Sequence, residues 1–198
     1  MCDCNMEQML IDRDYLLVRD YDAALNLADF DTRNTVLDVA TGSGRMLLQI
    51  VKRGYSVVSG DIDAGALGRA RERLGTLADR PELVTMDAHD LPFNNDSFSA
   101  VTLVNAIHEM EKPRGVLDEI TRVVTRDGRL LVVEFNNNGF ELMELHHKKQ
   151  GKGEHPKGEM STDDIDRYLR SSFDRVVTKE LGITHAWVAS QKKETRIR

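Results

Sequence analysis

The chain has 198 residues, which at roughly 100–200 residues per domain is room for one domain and not two. Hydrophobic residues make up 40% and charged residues 30%, a globular balance that excludes global disorder, and no apolar run approaches the ~18 residues of a membrane helix. The formal charge of −6 repels phosphate backbones overall, so nucleic acid is disfavoured as the main partner.

The start, Met1-Cys2-Asp3-Cys4, has neither the basic nor the apolar stretch of a signal peptide. Cys2 and Cys4 sit together at one end and cannot staple a fold, so frayed thiols in a reducing cytoplasm are expected. Residues 14–30 place Tyr15, Leu16, Val18, Leu25 and Leu27 at near-helical spacing. Thr35-Val36-Leu37-Asp38-Val39 reads as a buried strand, 46–52 as a helix and 55–59 as a second strand. Residues 64–77 carry Leu67, Ala70, Leu74 and Leu77 on one face with arginines opposite, an amphipathic helix. Short apolar strands follow at 82–86 and 98–104. Pro113 opens a helix with Val116, Leu117 and Ile120 on its buried stripe. Asp127-Gly128 is expected to turn the chain into a strand at 129–134. Ser161 is a good cap for a helix containing Ile165 and Leu169. Strands at 176–177 and 186–189 form a hairpin around Leu181-Gly182. Strands alternating with helices mean an α/β domain with a parallel sheet, and a terminal hairpin adds an antiparallel strand.

The most informative stretch is Val36-Leu37-Asp38-Val39-Ala40-Thr41-Gly42-Ser43-Gly44-Arg45. A buried strand runs into two glycines and then a helix, which lets a ligand approach the backbone and meet free N–H groups. The third glycine of a dinucleotide fingerprint is missing, because Leu47 stands in its place. Asp38, four residues before Gly42, is a carboxylate inside a strand and needs a cation or donors; a pyrophosphate would repel it. Both points argue against an NAD-dependent oxidoreductase.

With Asp61 in Gly60-Asp61-Ile62-Asp63 and Asp87 in Met86-Asp87-Ala88-His89, the sequence resembles the class I S-adenosylmethionine (SAM) methyltransferases over residues 36–134. The resemblance implies a Rossmann-like sheet of seven strands in the order 3-2-1-4-5-7-6, strand 7 antiparallel, with helices on both faces. It implies SAM as cofactor and S-adenosylhomocysteine as product. Asp38, Ala40, Thr41, Gly42, Gly44, Asp61, Ile62, Asp87, Ala88 and Asn105 would hold the cofactor. Asp61 would grip the ribose hydroxyls, and Asp87 with the Ala88 N–H would meet the adenine. Two departures stand out: Ala40 replaces a frequent glycine, and Arg126-Asp127-Gly128 replaces a Pro-Gly-Gly turn.

Methyl transfer is an in-line displacement, so the protein has to align a nucleophile and remove a proton where one is present. Asn105-Ala106-Ile107-His108 lacks the Asn-Pro-Pro-aromatic pattern of enzymes that methylate exocyclic or amide nitrogens and is similar to the small-molecule branch. His108 is the candidate base, the competing role being a packing residue beside the cofactor. Two additions outside the core would choose the substrate: an N-terminal helical cap at 1–34, contributing Tyr15 and Tyr21, and a flexible lid at 136–160, contributing His146 and His155. The histidines and glutamates of that lid match no metal-ligand spacing, so no metal is assigned. The lysines between His146 and Gly158, and the tail from Lys192, are either solvated or attract an anionic substrate. The expected function is methylation of a small organic acceptor, with a quinone-type acceptor suggested only by likeness to the ubiquinone and menaquinone methyltransferases. A non-catalytic SAM-binding module, and RNA or protein substrates, are the alternatives. The protein is expected to be a monomer or a homodimer.

Overall fold

The computed structural model describes residues 12–194. Seven strands form one sheet in the order β3-β2-β1-β4-β5-β7-β6. They are Thr35–Val39 (β1), Ser56–Asp61 (β2), Glu82–Thr85 (β3), Phe98–Val104 (β4), Val124–Phe135 (β5), Phe173–Glu180 (β6) and Thr184–Lys192 (β7). β1 to β5 are parallel, and β7 runs antiparallel to both β5 and β6. Among the described residues the six α-helices are Arg13–Ala28 (α1), Arg45–Lys52 (α2), Ala64–Leu74 (α3), Pro113–Val123 (α4), Asn137–Lys149 (α5) and Thr162–Ser172 (α6). This is the architecture the sequence implies. Among the described residues, no helix is long and apolar enough to cross a membrane.

Side chains alternate across a strand, so each central strand feeds two cores. Val36, Ala100, Leu131 and Val133 join Leu17, Leu25, Leu47 and Ile50 beneath α1 and α2. Leu37, Val101, Leu130 and Val132 join Val116, Leu117, Ile165 and Leu169 beneath α4 and α6. The chain crosses from β3 at one edge back to β4 beside β1. The strand order therefore reverses between β1 and β4, and a crevice opens beyond their carboxyl ends.

Three expectations are corrected. The helix from Ala64 stops at Leu74, because Gly75 takes φ +56°, and a single 3-10 turn, Gly75–Leu77, follows. The turn at Asp127-Gly128 lies inside β5 and does not precede it: Val124 already pairs with Phe98, residues 125–128 bulge out of the ladder with Gly128 against Thr125, and pairing resumes at Arg129 opposite Ala100. Neither residue has a positive φ. The segment 136–160 is not a loop throughout. Asn136 caps α5 by accepting from the Gly139 N–H, and only 150–160 lacks regular structure.

One carboxylate holds the N-terminal helix in place. Asp20, 2% exposed, accepts from the N–H groups of Gly182, Ile183 and Thr184 at 3.1, 2.7 and 3.1 Å, and from the Thr184 hydroxyl at 3.1 Å. It thereby ties α1 to the tip of the β6–β7 hairpin. Asp20→Ala would leave these donors buried without an acceptor, at a cost of about 3 kcal/mol or more. A fall in melting temperature of roughly 10 °C, followed by circular dichroism, is the expected result. A fall under about 2 °C would show that the clamp does not stabilise the fold.

Candidate functional site

The loop from β1 to α2 turns on three left-handed residues, Ala40 (φ +57°), Gly42 (φ +54°) and Gly44 (φ +73°). At Ala40 the conformation costs about 1 kcal/mol, because an L side chain crowds the following carbonyl. The two glycines serve different ends. A Cβ at Gly42 would meet nothing within 4 Å, so its backbone faces open space. A Cβ at Gly44 would lie 2.8 Å from the Ala70 Cβ, and Gly44 does not line the cavity. Gly44 therefore lets α2 approach α3.

Asp38 is 2% exposed, and its donors come from the protein. Ser59 Oγ donates to Oδ2 at 2.7 Å and Thr102 Oγ1 to Oδ1 at 2.8 Å. Thr41 Oγ1 lies 3.3 Å from Oδ2 and also meets Ser59 Oγ. Burial pushes the Asp38 carboxyl above the usual carboxylate range, while the Ser59, Thr102 and Thr41 hydroxyls work in the other direction. No ligand cation is required to satisfy it. The Thr41 hydroxyl belongs to this cage, while Thr41 also lines the cavity.

Beyond the strand ends lies a cavity of about 830 Å³. One end is acidic. Asp61 takes the Gly42 N–H at 2.8 Å on one oxygen and the Asp63 N–H at 3.0 Å on the other, which fixes the carboxylate and leaves each oxygen a lone pair. Ile62, 70% exposed, stands beside it, and Asp87 and Ala88 continue the wall. The His89 backbone N–H and ring hold the Asp87 carboxyl below its ordinary value. At the end of β4, Asn105 takes φ +47° and donates from Nδ2 to the Tyr21 hydroxyl at 2.8 Å; its Oδ1 is buried without a partner.

The other end is built around His108, 3% exposed on the 3-10 turn Ile107–Glu109. Glu134, 2% exposed on β5, lies 2.7 Å from its Nδ1 and also accepts the His108 and Phe135 backbone N–H groups at 3.2 and 2.8 Å. An ionised carboxylate only accepts, so the proton sits on Nδ1, and Nε2 is left buried with no hydrogen-bond partner. Burial pulls the His108 pKa down, but Glu109 and Glu134 outweigh it and hold the imidazole up at about 9. His155, 4% exposed, packs its ring 5.0 Å from His108, with Phe135 and Phe140 at 5.3 and 5.6 Å from His108. Burial and the neighbouring His108 and His147 depress His155 to about 4, so it is neutral at pH 7.

The cavity thus brings together Asp38, Ala40, Thr41, Gly42, Asp61, Ile62, Asp87, Ala88, Asn105, His108, Tyr21, His146 and His155. Tyr15 is excluded and is 68% exposed. The inward stripe of α1 is Arg13, Leu17 and Tyr21, four residues apart, and Tyr15 falls on the other side. Sequence reasoning missed Glu134 and Arg13, and named His147 and Lys152 only as members of the lid. Glu134 had a signal, a carboxylate directly after the apolar run 130–133, like Asp38 in β1. Among the described residues no group of three or more His, Cys, Asp or Glu could hold a metal; Cys2 and Cys4 lie outside them.

These residues fit an adenosyl sulfonium cofactor. Carboxylates stand at the ends of β2 and β3, the Gly42 backbone is open, and the orphaned Asn105 Oδ1 can accept from an ammonium.

Comparison with known proteins agrees. A family model described as methyltransferase domain matches residues 37–132. A demethylmenaquinone methyltransferase of Clavibacter sepedonicus is 41% identical over 101 residues, covering 51% of this chain and 41% of that protein. The ubiquinone/menaquinone biosynthesis C-methyltransferase UbiE of Pseudomonas savastanoi is 33% identical over 158 residues, covering 76% and 62%. The chain therefore spans about half the length of these relatives. The solved structure of a SAM-dependent methyltransferase from Aquifex aeolicus shares the fold, with a TM-score of 0.67 at 19% identity over 96% of this chain and 99% of that one.

Asp61→Ala is expected to weaken S-adenosylhomocysteine binding at least tenfold in a calorimetric titration, with NADH giving no heat. Equal affinity in variant and wild type would remove Asp61 from the site.

Proposed function

We propose, from the methyltransferase-domain match over residues 37–132 and the likeness to the UbiE relatives, that the chain is a class I SAM-dependent methyltransferase and that it methylates a small organic acceptor seated between α1, α5 and residues 150–160, with His108 as the group that handles the acceptor's proton. The single observation that carries the assignment of His108 is its buried Nε2, without a hydrogen-bond partner on a ring that lines the cavity, with Glu134 fixed against Nδ1 and Glu109 3.7 Å from Nε2. The bound cofactor supplies an electrophilic methyl group on a sulfonium, whose departure needs no acid.

The protein's share is alignment and proton transfer. Asn105 and Tyr21 tie the end of β4 to α1 where the two ends of the cavity meet. Burial pushes the Tyr21 phenol far above its ordinary value, so Tyr21 stays a neutral hydroxyl. A proton taken from the acceptor at Nε2 gives an imidazolium held between Glu134 and Glu109. When the imidazole is already charged, the same Nε2–H steadies the acceptor's developing anion. The names of the two similar enzymes support a small-molecule acceptor. The 1–34 cap and the 136–160 lid are the parts we assign to choosing it.

Purified protein incubated with methyl-labelled SAM and a low-mass cell extract should place label in a small molecule. Label confined to RNA or protein fractions would overturn the acceptor class.

The role of Glu134 has its own readout. His108 has a folded pKa above the ordinary 6.5, so the stability it contributes is complete below 6.5 and is lost as pH rises through about 9. Removing the Glu134 charge leaves Glu109 alone to oppose burial. In Glu134→Gln the His108 ring, followed by proton NMR, should titrate clearly below its wild-type value, and the rising limb of the rate profile should move down with it. A ring still titrating near 9 would show that Glu134 does not set its charge.

A further inference from the structure

The cavity wall is segregated by charge. Asp61 and Asp87 stand at the cofactor end. The rest of the lining carries Arg13, Arg45 and Lys152 with His146 and His147, and Glu109 and Glu111 are its carboxylates. Two further acids nearby are already engaged. Asp14 is engaged by Arg45 at 3.0 Å and Arg13 at 3.5 Å, and Glu144 accepts the His155 N–H at 3.2 Å. Lys152, exposed at the mouth, makes no ion pair among the described residues. The Arg45 Nε is buried with no partner. Burial, then Arg13, His147 and Lys152 in that order, lower the His146 pKa, and Asp14 opposes them without reversing the shift, so the cations near His146 outweigh the one carboxylate that answers them. Crowded like charges are costly, and a bound anion relieves them.

From this convergence we propose that the acceptor bears an anionic group, a carboxylate or a phosphate, held at the cavity mouth by Lys152 and Arg13 while its nucleophile lies against His108. The inference rests on the methyltransferase reading but concerns only the acceptor end. It favours a compact charged acceptor. An apolar-tailed one would find cations and imidazoles at the mouth, where apolar side chains would suit it. The relevant distinction from RNA is size, because the local cations sit in a chain of overall charge −6.

The test uses the whole chain and matched probes. With S-adenosylhomocysteine bound, ligand-observed NMR would compare 4-hydroxybenzoate with 4-hydroxybenzamide, and phenyl phosphate with phenol. At least tenfold tighter binding of one acid than of its neutral partner is expected, and which acid wins separates carboxylate from phosphate. The preference should fall to within about twofold in Lys152→Gln combined with Arg13→Gln. Acids that bind no better than neutral partners, or a preference that survives in the double variant, would overturn the proposal. An RNA hairpin that displaces the acid at equal phosphate concentration would overturn it in favour of a polymer substrate.

A second arm needs no cofactor. Inorganic phosphate, titrated into the free protein, should raise the His146 pKa saturably, and the same substitutions should abolish the rise. If S-adenosylhomocysteine fails to bind while phosphate still moves His146, the methyltransferase reading falls and the anion site stands. If it binds while phosphate leaves His146 unchanged, the anion site falls alone.

Discussion

A carboxylate sunk in the middle of a parallel sheet has to find donors, and the fold is arranged around that need. Asp38 lies on β1, the strand at which the sheet order reverses. Its oxygens are served by Ser59 from β2, Thr102 from β4 and Thr41 from the turn. One side chain therefore ties the two strands that flank the switch point to the loop that leaves it. An unsatisfied carboxylate here would cost several kcal/mol, so the hydroxyls fix both the register of the strands and the path of the loop. The loop's path in turn presents the Gly42 backbone and aims its N–H at Asp61.

The same solution appears at two further places. Asp20 collects four donors at the hairpin tip, and Glu134 collects two backbone N–H groups and the His108 ring. The outcomes differ because the donors differ. Hydroxyls and backbone amides are fixed dipoles, so Asp38 and Asp20 are structural anchors. An imidazole can gain or lose a proton, so Glu134 turns an anchor into a tuned group. The opposite directions of His108 and His155 follow from this. Two buried rings 5.0 Å apart share their surroundings, yet His108 has Glu134 against its ring and His155 has a second histidine.

How much of this could be read beforehand depended on what kind of signal each residue left. The β1 to β5 pattern was legible because apolar runs of strand length alternate with amphipathic helices, and Asp38, Asp61 and Asp87 stand out against those runs. The hydroxyl cage was not, since Ser59 and Thr102 are ordinary strand residues until register places them beside Asp38. The helix-packing duty of Gly44 was not legible, because a glycine needed for a close helix approach looks the same in sequence as one needed for a ligand. The α5 helix was hidden behind the glycines at 151, 153 and 158, although Asn136 at its cap and buried Leu142 were there to be read. Tyr15 was chosen for being aromatic, but helical phase decides which side chains face inward, and Arg13, Leu17 and Tyr21 own that phase.

The two ends of the cavity are supported by different parts of the sheet, and this division explains why the additions could specialise. The acidic end hangs on β1, β2 and β3. At the other end, α1 is pinned through Asp20 to Gly182, Ile183 and Thr184, and α5 through Asn136 Nδ2 to Glu180 at 2.7 Å on the same hairpin. One tight turn at the far side of the sheet thus positions both helices that wall the acceptor end. The irregular stretch after α5 closes against it: a Cβ at Gly158 would fall 2.6 Å from the His108 Cα, so that glycine is what lets the chain lie directly on the His108 turn. Glycine there is a requirement of proximity and of its φ of +73° together. Changes in α1, α5 or 150–160 can therefore reshape that end of the cavity while the Asp38 cage and the Gly42–Asp61 contact stay intact. Under the proposed function, the cofactor grip is constant and the acceptor grip adjustable because different elements carry them, joined through β4, β5 and the buried pair His108 and Glu134.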